Sequence, residues 1–418
     1  MMASTAPERS ERRRRRRQRD DGREPIAREA WTRLAACTAA AALLQLDGTV
    51  ITVALPTVAL DLHVSNSSTT LILSAYFAAY ALTLFPGGRL VDRLGARRVA
   101  LIGLCVFALG AALGAVVSTL GLLCATRVLQ GVGAGLVSPA ALAGAISGFP
   151  PDRRGTALGI WGASAGMSNL VGPLLGGLLT VMFGWRADWW VLVPLALAAA
   201  WGVARHVPSI VHEVGEGGRV SVLNKTVGAA ALVAGLTFAV MIGTFYLAEQ
   251  YLQKTVGYSA LGASAVLVVV ALLVGVAAPL AGGLVDSRGE RFPTVLGFLA
   301  AGLGMAILAI PGVSLHGIGT AFALIPIGLG LGMLFVPVSR AALNATPDSS
   351  HGRTSAVLSA ARLAGAAIGA GLAGVALSDG PSASTVHTAL AVAAGSCLLL
   401  GLPLASQFGR GSPARGMA

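Results

Sequence analysis

The chain has 418 residues, of which 55% are hydrophobic and only 11% are charged, and its mean hydropathy is +0.76. Soluble proteins carry about 25% charged residues, so this composition excludes an ordinary water-soluble fold and indicates a protein embedded in lipid. The net charge of +12 does not indicate nucleic-acid binding, because the basic residues are concentrated in the N-terminal segment and in short loops.

The N-terminal segment is polar and rich in arginine as far as Arg33, with an unbroken arginine run at 12–17. The apolar stretch that follows is long enough to cross a bilayer, so we interpret it as a membrane anchor and not as a cleavable signal peptide. We expect the arginine run to hold the N-terminus in the cytoplasm and to contact anionic lipid, with no nucleic-acid partner.

Apolar stretches bounded by charged or turn residues predict twelve membrane-spanning helices, six in each half. The predicted spans of the first half are 34–60, 69–90, 99–117, 120–147, 156–183 and 189–204. Those of the second half are 226–248, 261–285, 294–310, 317–343, 355–377 and 385–405.

Between the halves lies a polar segment that contains glycine and is too short to cross the bilayer. The predicted organisation is an arginine-rich cytoplasmic tail (1–33), an N-terminal six-helix bundle (34–205), a cytoplasmic linker (206–225), a C-terminal six-helix bundle (226–406) and a cytoplasmic tail (407–418).

The distribution of basic residues supports this topology. With the N-terminus inside, 26 of the 30 lysines and arginines fall on the cytoplasmic side. The other four are Arg186 and Lys254 outside, and Arg127 and Arg362 within spans. Such asymmetry is typical of a multi-pass protein, and we expect it to lie in the plasma or inner membrane with both termini cytoplasmic.

An internal repeat relates the two halves. The segment Gly88–Arg97 matches Gly282–Arg291 at six of ten positions, with a constant offset of 194 residues. Both copies follow the second predicted span of their half. The repeat therefore predicts an all-α membrane fold made of two pseudo-symmetric six-helix bundles.

Four segments of the chain resemble motifs of the major facilitator superfamily, and more narrowly of its drug/proton antiporters. They are GGRLVDRLGARR (87–98), RVLQGVGAG (127–135), GASAGMSNLVGPLLGG (162–177) and LDGTVITVALP (46–56). The last of these resembles the first-helix motif of the fourteen-helix branch, but the central segment leaves no room for two further spans. The resemblance implies a twelve-helix transporter without enzymatic activity.

Asp47 and Arg127 are the leading candidates for proton coupling. A mid-span aspartate costs about 2.5–3.5 kcal/mol on insertion scales, so its presence calls for a reason. Burial favours the neutral acid, while a nearby cation or a water-filled cavity favours the carboxylate, so alternating exposure would load and release a proton. We interpret Asp47 as a proton carrier or as a contact for cationic substrates. Arg127 remains charged and is expected to act on a carboxylate such as Asp47.

Three further residues are weaker candidates for the coupling or substrate site. Gln130 follows Arg127 at helical spacing, Arg362 lies within the eleventh span, and Glu249 lies near the outer end of the seventh. A structural reading stays open for each, since an arginine can reach the interface along its own side chain and Glu249 can face water.

The loop repeat is predicted to form a cytoplasmic charge cluster that pairs across helix ends in one conformation and separates in the other. Topology determination by positive charge is the alternative reading. The residues of this conformational motif are Gly88, Asp92, Arg93, Gly95, Arg97, Arg98, Asp286, Gly289 and Arg291.

The fifth-helix motif resembles the one that marks exporters. A proline inside a helix removes a hydrogen bond, so we expect the helix to bend at 172–173 and its glycines to permit close packing, as a seal at the interface between the halves. The residues of this antiporter motif are Gly166, Gly172, Pro173, Gly176 and Gly177.

These observations predict a proton-coupled exporter, an antiporter, of drug-like, hydrophobic or cationic small molecules, including antibiotics, that works by alternating access. The alternative is a transporter of one specific metabolite, such as a siderophore, an amino acid or a self-made antibiotic. The chain has no GxxxxGK[ST] motif for ATP, no cluster of metal ligands and no clustered catalytic residues. We expect a monomer in the bilayer, with a small-molecule substrate, with protons as the coupling ion and no other cofactor.

Overall fold

The computed structural model describes residues 26–209, 224–258, 260–310, 318–377 and 382–408, and these ranges contain helices and no strands. The helices of the first half are α1 (Arg28–Asp61), α2 (Asn66–Leu94), α3 (Ala96–Gly114), α4 (Leu120–Ile146), α5 (Arg154–Phe183) and α6 (Arg186–His206). Those of the second half are α7 (Lys225–Lys254), α8 (Ala260–Arg288), α9 (Arg291–Leu308), α10 (Ile318–Asn344), α11 (His351–Ala376) and α12 (Ala383–Gly395). The last helix continues through a π-helical turn, Ser396–Gly401, to Leu402–Ser406.

The twelve helices confirm the predicted fold class. Eleven of them are long and apolar enough to cross a membrane within the described part of the chain, and in α5 the apolar stretch found is Leu174–Phe183. Ten of the twelve helices begin one to six residues before the predicted span, most clearly α1, which begins at Arg28 and not at residue 34, whereas α3 and α9 end two or three residues before theirs. Most of the predicted linker, 210–223, lies outside the described residues.

Short polar side chains and glycines set many of the helix ends. Side-chain oxygens of Ser65, Thr119, Asn224 and Ser382 accept hydrogen bonds from backbone N–H groups in the first turns of α2, α4, α7 and α12. Gly95 and Gly289, at equivalent places in the sequence repeat, end α2 and α8 with φ values of 82° and 78°. A positive φ favours glycine, so the repeat encodes the same turn twice.

Each half of the chain forms its own apolar core. One large cluster of buried side chains is drawn from residues between Ala30 and Val207, and a second from residues between Val227 and Phe408. Each core collects residues from most helices of its own half and none from the other. The two six-helix bundles of the prediction therefore correspond to two separately packed units.

The bundles meet through α2, α4 and α5 on one side and α8, α10 and α11 on the other. The pairings of α5 with α8 and of α2 with α11 are equivalent under the duplication, since α5 corresponds to α11 and α2 to α8. A third, smaller apolar cluster lies between the bundles and includes Leu142, Leu158, Ala281 and Leu343.

The interface is concentrated at one face of the membrane. We call the face at which α1 begins the proximal face and the opposite one the distal face. Among the described residues, every hydrogen bond, ion pair and aromatic contact between the bundles lies within nine residues of the proximal end of its helix. The described hydrogen bonds, ion pairs and aromatic contacts thus join the bundles at the proximal face.

Candidate functional site

Asp47 of α1 and Arg127 of α4 form an ion pair inside the N-terminal bundle. Arg127 Nη1 lies 2.7 Å from Asp47 Oδ1 and 2.9 Å from Oδ2, and neither side chain is exposed to solvent. The pairing expected from the sequence is therefore present. A fully buried ion pair is costly to form, and removal of either charge leaves the other uncompensated.

Two polar neighbours complete this site. Arg127 Nη1 also donates to Gln130 Oε1 at 3.0 Å, and Gln130 Nε2 lies 3.5 Å from Asp47 Oδ1. The guanidinium carbon lies 4.2 Å from the centre of the Tyr76 ring, a cation–π contact. Arg127 Nε and Nη2 are buried and have no hydrogen-bond partner among the described residues. The structure brings Gln130 together with the pair, and Tyr76 is an addition that the sequence analysis missed.

Small residues bring these helices close enough for the pair to form. A Cβ atom added at Gly131 or Gly135 would collide with the backbone of α2 at Tyr76 or Tyr80. A Cβ atom at Gly110 of α3 would lie 2.7 Å from Gln130 Cγ. The glycines of the fourth-helix motif therefore serve close packing, and they hold Arg127 against Asp47 and the Tyr76 ring.

Arg362 of α11 lies apart from the Asp47 pair, in the other bundle, beside the interface. Its side chain is buried, and its Nη2 donates to Ser339 Oγ at 2.7 Å. The guanidinium carbon lies 4.1 Å from the centre of the Phe335 ring. The structure thus places Arg362 inside the protein and not at a helix end. The alternative interpretation, in which its side chain extends to the membrane–water interface, is therefore wrong. Glu249 belongs to the last two turns of α7, but its side chain lies outside the described residues.

At the proximal face, Asp92 joins the end of α2 to the start of α11. It accepts hydrogen bonds from the backbone N–H of Gly352 at 2.8 Å and from Arg353 Nε at 2.7 Å. A carboxylate at the N-terminus of a helix is stabilised by the free N–H groups and the helix dipole. Gly88, one turn earlier, packs against the Gly352 carbonyl so tightly that a Cβ atom would lie 2.6 Å from that oxygen.

The second copy of the motif makes the equivalent contact. Asp286 accepts hydrogen bonds from the backbone N–H of Gly155 at 2.9 Å and of Thr156 at 2.8 Å, and from the Thr156 hydroxyl. Each carboxylate therefore binds the first turn of a helix in the opposite bundle. Both predicted copies of the conformational motif meet the other bundle, and the second is no weaker in its contacts than the first.

The structure also places the basic residues of the motif. Asp92 pairs across the helix ends with Arg353, a residue that the sequence analysis did not name. Arg97 donates to Ser209 Oγ at 3.1 Å within its own bundle. Arg93 lies in the last turn of α2 and Arg98 in the first turn of α3, while Arg291 begins α9.

The fifth-helix motif packs within its own bundle. Gly172 lies against Thr49 and Gly176 against the Val50 carbonyl, both on α1, and Gly177 lies near Val53. The expectation that these glycines seal the interface between the halves is wrong for this conformation. The surroundings of Gly166 and Pro173 lie outside the described residues, and the predicted bend at 172–173 stays a prediction.

The glycines of α5 that do meet the other bundle are Gly155, Gly159 and Gly162, near the proximal end. An added Cβ atom there would meet α8 or Phe335 of α10 within 3.0 Å. Only the last of these three glycines belongs to the motif segment, so the described contacts of α5 with the other bundle lie nearer its proximal end than the sequence predicted.

Sequence reasoning also missed two basic residues that tie the bundles together. Arg154 donates to Asn344 and Asp348 of the other half, at 3.1 Å each. Arg340 donates to the Pro151 carbonyl at 3.1 Å and lies 3.3 Å from Glu290. The sequence did contain a signal for this contact region. A Pro-Asp pair occurs just before α5, at 151–152, and again just before α11, at 347–348, which are equivalent places in the two halves.

The arrangement of two duplicated six-helix bundles, joined at one face, is the architecture of secondary membrane transporters built from parallel repeats. A family profile described as Major Facilitator Superfamily matches residues 37–370. The chain belongs to this family, and it is a multi-pass membrane transporter and not an enzyme.

The comparisons with known proteins agree. The puromycin resistance protein pur8 of Streptomyces alboniger is 30% identical over 409 residues, which cover 82% of this chain and 80% of that protein. The tetracenomycin C resistance and export protein of Streptomyces glaucescens is 36% identical over 169 residues, 40% of this chain and 31% of that protein. The matched region therefore covers only about a third of the tetracenomycin C resistance and export protein. The structure of the E. coli fucose:proton symporter FucP shares the fold, with a TM-score of 0.74 at 16% identity over 92% of this chain and all of that one.

Proposed function

We propose that the protein is a proton-coupled exporter of drug-like, hydrophobic small molecules, including antibiotics. The observation that carries this proposal is the ion pair of Asp47 with Arg127, which is fully buried between α1 and α4. Arg127 keeps its proton in any environment, so the carboxylate is the partner that can change charge. Protonation of Asp47 removes the attraction that holds the two helices together, and deprotonation restores it.

The distribution of basic residues supports a cytoplasmic proximal face, and with it cytoplasmic termini in the plasma or inner membrane. In that orientation the described contacts between the bundles lie at the cytoplasmic face, and we assign this conformation to the outward-facing state. A proton from outside neutralises Asp47, the pair separates, and the bundles rearrange so that the contacts of Asp92 and Asp286 break. The proton leaves to the cytoplasm, cargo enters, and the return step carries it outward.

The membrane potential is sufficient for this cycle. Each charge moved inward releases about 2.3 kcal/mol per 100 mV. At about 1.4 kcal/mol per tenfold concentration ratio, that energy sustains a gradient of roughly 50-fold. One proton per cycle therefore suffices for useful resistance, without ATP and without a metal or organic cofactor, in a monomer.

The relatives support the class of cargo. Their names describe resistance to puromycin and resistance to and export of tetracenomycin C. The cationic cargo expected from the sequence rested on a free Asp47 carboxylate, but in the structure Arg127 occupies both of its oxygens. We therefore assign Asp47 to the proton. Transport of one specific metabolite remains the second candidate for the cargo.

The test is a resistance and accumulation screen in a host that lacks its own efflux pumps, with and without an uncoupler. We expect the wild-type protein to lower the accumulation of at least one antibiotic, and we expect the uncoupler or Asp47→Asn to abolish this effect. Asp152→Asn is the matched control, because it removes an exposed carboxylate from a proximal loop. Export at full rate after collapse of the proton gradient, or by the Asp47→Asn protein, would refute the proposal.

A further inference from the structure

Arg362 lies near the middle of the membrane. It is eleven residues from His351, the start of α11, which at 1.5 Å per residue places it about 16 Å from the proximal end of the helix. The hydrocarbon core is about 30 Å thick. Only 7% of the residue is exposed. An arginine at this depth remains charged, and burial of an uncompensated charge is costly.

No carboxylate of the described residues forms an ion pair with Arg362. Its described hydrogen-bond acceptor is the neutral Ser339 hydroxyl, and its guanidinium carbon lies 4.1 Å from the centre of the Phe335 ring and 6.0 Å from that of Phe238. Tyr80 of the other bundle, a neutral phenol, also lies within electrostatic reach. Arg127 differs in this respect, because Asp47 compensates its charge. A guanidinium has five N–H donors, so most of those of Arg362 have no acceptor in the described protein.

Glu249 does not provide the missing charge. Gly235 of α7 packs against Ala361 and Gly365, and so marks the level of Arg362. Glu249 is fourteen residues further along the same helix, about 21 Å towards the distal face. The helix backbone therefore separates the two charges, independently of how the glutamate side chain is oriented.

The surroundings of Arg362 are aromatic and contain a second donor. The Trp161 ring of α5 stacks on Phe335, with 5.3 Å between the ring centres and 24° between their planes. Trp161 Nε1 is buried and has no acceptor among the described residues. The Phe335 ring thus contacts the Arg362 guanidinium of its own bundle and the Trp161 indole of the other bundle. Both of these groups have N–H donors. Donors without acceptors, beside flat apolar surfaces, match a ligand that joins an anionic group to an aromatic body.

Arg362 lies just beyond the last described hydrogen bond between the bundles. Ser138 and Ser359, with 3.2 Å between their oxygens, form the cross-bundle hydrogen bond nearest to Arg362, which follows three residues later towards the distal face. Arg362 therefore lies at the distal limit of the described polar contacts between the bundles.

We propose that Arg362 is the anion-recognition residue of the cargo site, and that the cargo is an aromatic molecule with a carboxylate, sulfonate or phenolate group. The outward direction of cargo movement rests on the proposed export function, whereas the recognition of the cargo anion by Arg362 does not. Cargo and proton then use different side chains, Arg362 in one bundle and Asp47 in the other, and exchange is coupled through the rearrangement of the bundles. Tyr76 and Tyr80 of α2, with ring centres 6.0 Å apart, lie on the path between the two arginines.

The test compares three ligands that share one ring and differ in charge: 2-naphthoate, neutral 2-naphthamide and cationic 2-naphthylmethylammonium. Equilibrium dialysis against the purified full-length protein measures each Kd. We expect 2-naphthoate to bind at least tenfold more tightly than 2-naphthamide. Arg362→Gln should abolish this preference, and Arg362→Lys should keep part of it, because lysine retains the charge but not the planar fork.

Arg205→Gln, which removes an exposed arginine of α6, is the matched control and should keep the wild-type preference. Equal or tighter binding of the amide or the cation by the wild-type protein would overturn the inference, even if no variant can be purified. An undiminished preference in Arg362→Gln would overturn it as well.

Proteoliposomes with an imposed proton gradient separate this inference from the proposed function. Arg362-dependent binding of 2-naphthoate without gradient-driven movement of any of the three ligands would refute proton-coupled export and leave anion recognition standing. Gradient-driven movement of the cation or the amide, with no binding of 2-naphthoate, would refute the inference and leave the export function standing.

Discussion

The Asp47 carboxylate and the Arg127 guanidinium lie 2.7 Å apart with no exposure of either side chain, so each charge depends on the other. We expect Asp47→Asn to lower the free energy of unfolding by about 3–5 kcal/mol, because Arg127 cannot lose its charge. Arg127→Gln should cost less, because an unpaired Asp47 can take up a proton. Thermal unfolding in detergent measures both changes.

The double variant provides the control for this prediction. With both charges removed, Asp47→Asn/Arg127→Gln should be more stable than Asp47→Asn alone, since no uncompensated charge remains in the bundle. Additive losses in the double variant would contradict the coupling of the two residues.

The sequence predicted the helices well because hydrophobic length alone determines which segments cross a bilayer. It also predicted that Asp47 and Arg127 act together, since an acid and a base stranded in one apolar bundle have few other partners. The partner of Asp92 could not be predicted in the same way. Its nearest basic residues in sequence are Arg93 and Arg89, yet its partner is Arg353, 261 positions away.

That failure has a physical cause. Which helix ends meet across the interface depends on the packing of two complete bundles, and hydropathy carries no information about this packing. Gly88 and Gly352 illustrate how the contact depends on packing. The end of α2 approaches the start of α11 at the point where these two glycines pack against each other. The duplication offered a route, since Asp92 and Asp286 must make equivalent contacts, but the partner segments 151–156 and 347–353 share little beyond a Pro-Asp pair and a following glycine.

The contacts of Asp92 predict how the proximal face opens. Asp92→Asn removes the charge from hydrogen bonds to Gly352 and Arg353, and hydrogen bonds to charged groups contribute about 1.5–3 kcal/mol. We therefore expect the proximally open state to become about tenfold or more populated. The readout is the rate at which maleimide labels a cysteine introduced at Ser359, which is buried between the bundles.

Asp286→Asn should act in the same direction, because Asp286 makes the equivalent contact with α5. Asp152→Asn should leave the labelling rate unchanged, as its carboxylate is exposed on the same face. A labelling rate in Asp92→Asn equal to that of the parent protein would show that this carboxylate does not hold the face closed.

The Ser138–Ser359 contact predicts a reversible lock. The two side-chain oxygens lie 3.2 Å apart across the interface, so the pair Ser138→Cys/Ser359→Cys should form a disulfide on oxidation. Oxidation should stop transport by holding the proximal face closed, and a reductant should restore it. The four native cysteines, Cys37, Cys105, Cys124 and Cys397, are replaced beforehand so that no other thiol reacts.

Each single cysteine variant serves as the control for the lock and should be insensitive to oxidation. Undiminished transport by the oxidised double variant, with the disulfide demonstrated by mass spectrometry, would show that the bundles need not separate at this level during the cycle.

A second buried carboxylate, Asp188 at the start of α6, should matter for stability and not for transport. Its Oδ2 accepts a hydrogen bond from the Thr180 hydroxyl at 2.6 Å, and its Oδ1 is buried without a partner among the described residues. Thr180→Val removes that hydroxyl, so it should cost about 1–3 kcal/mol of stability, the range for a buried polar group that loses its partner. Thermal unfolding in detergent, with Thr180→Ser as the control that keeps the hydroxyl, measures this loss.

Replacing both partners separates the hydrogen bond from the packing. In Thr180→Val/Asp188→Leu no polar group is left unsatisfied, so the stability should return to within about 1 kcal/mol of the parent protein. Unlike Asp47→Asn, this variant should still export cargo in the accumulation assay, because Asp188 has no cationic partner among the described residues whose release could drive a conformational change. Loss of export in a stable double variant would assign Asp188 to the transport cycle and would require a proton site at the distal end of the bundle in addition to Asp47.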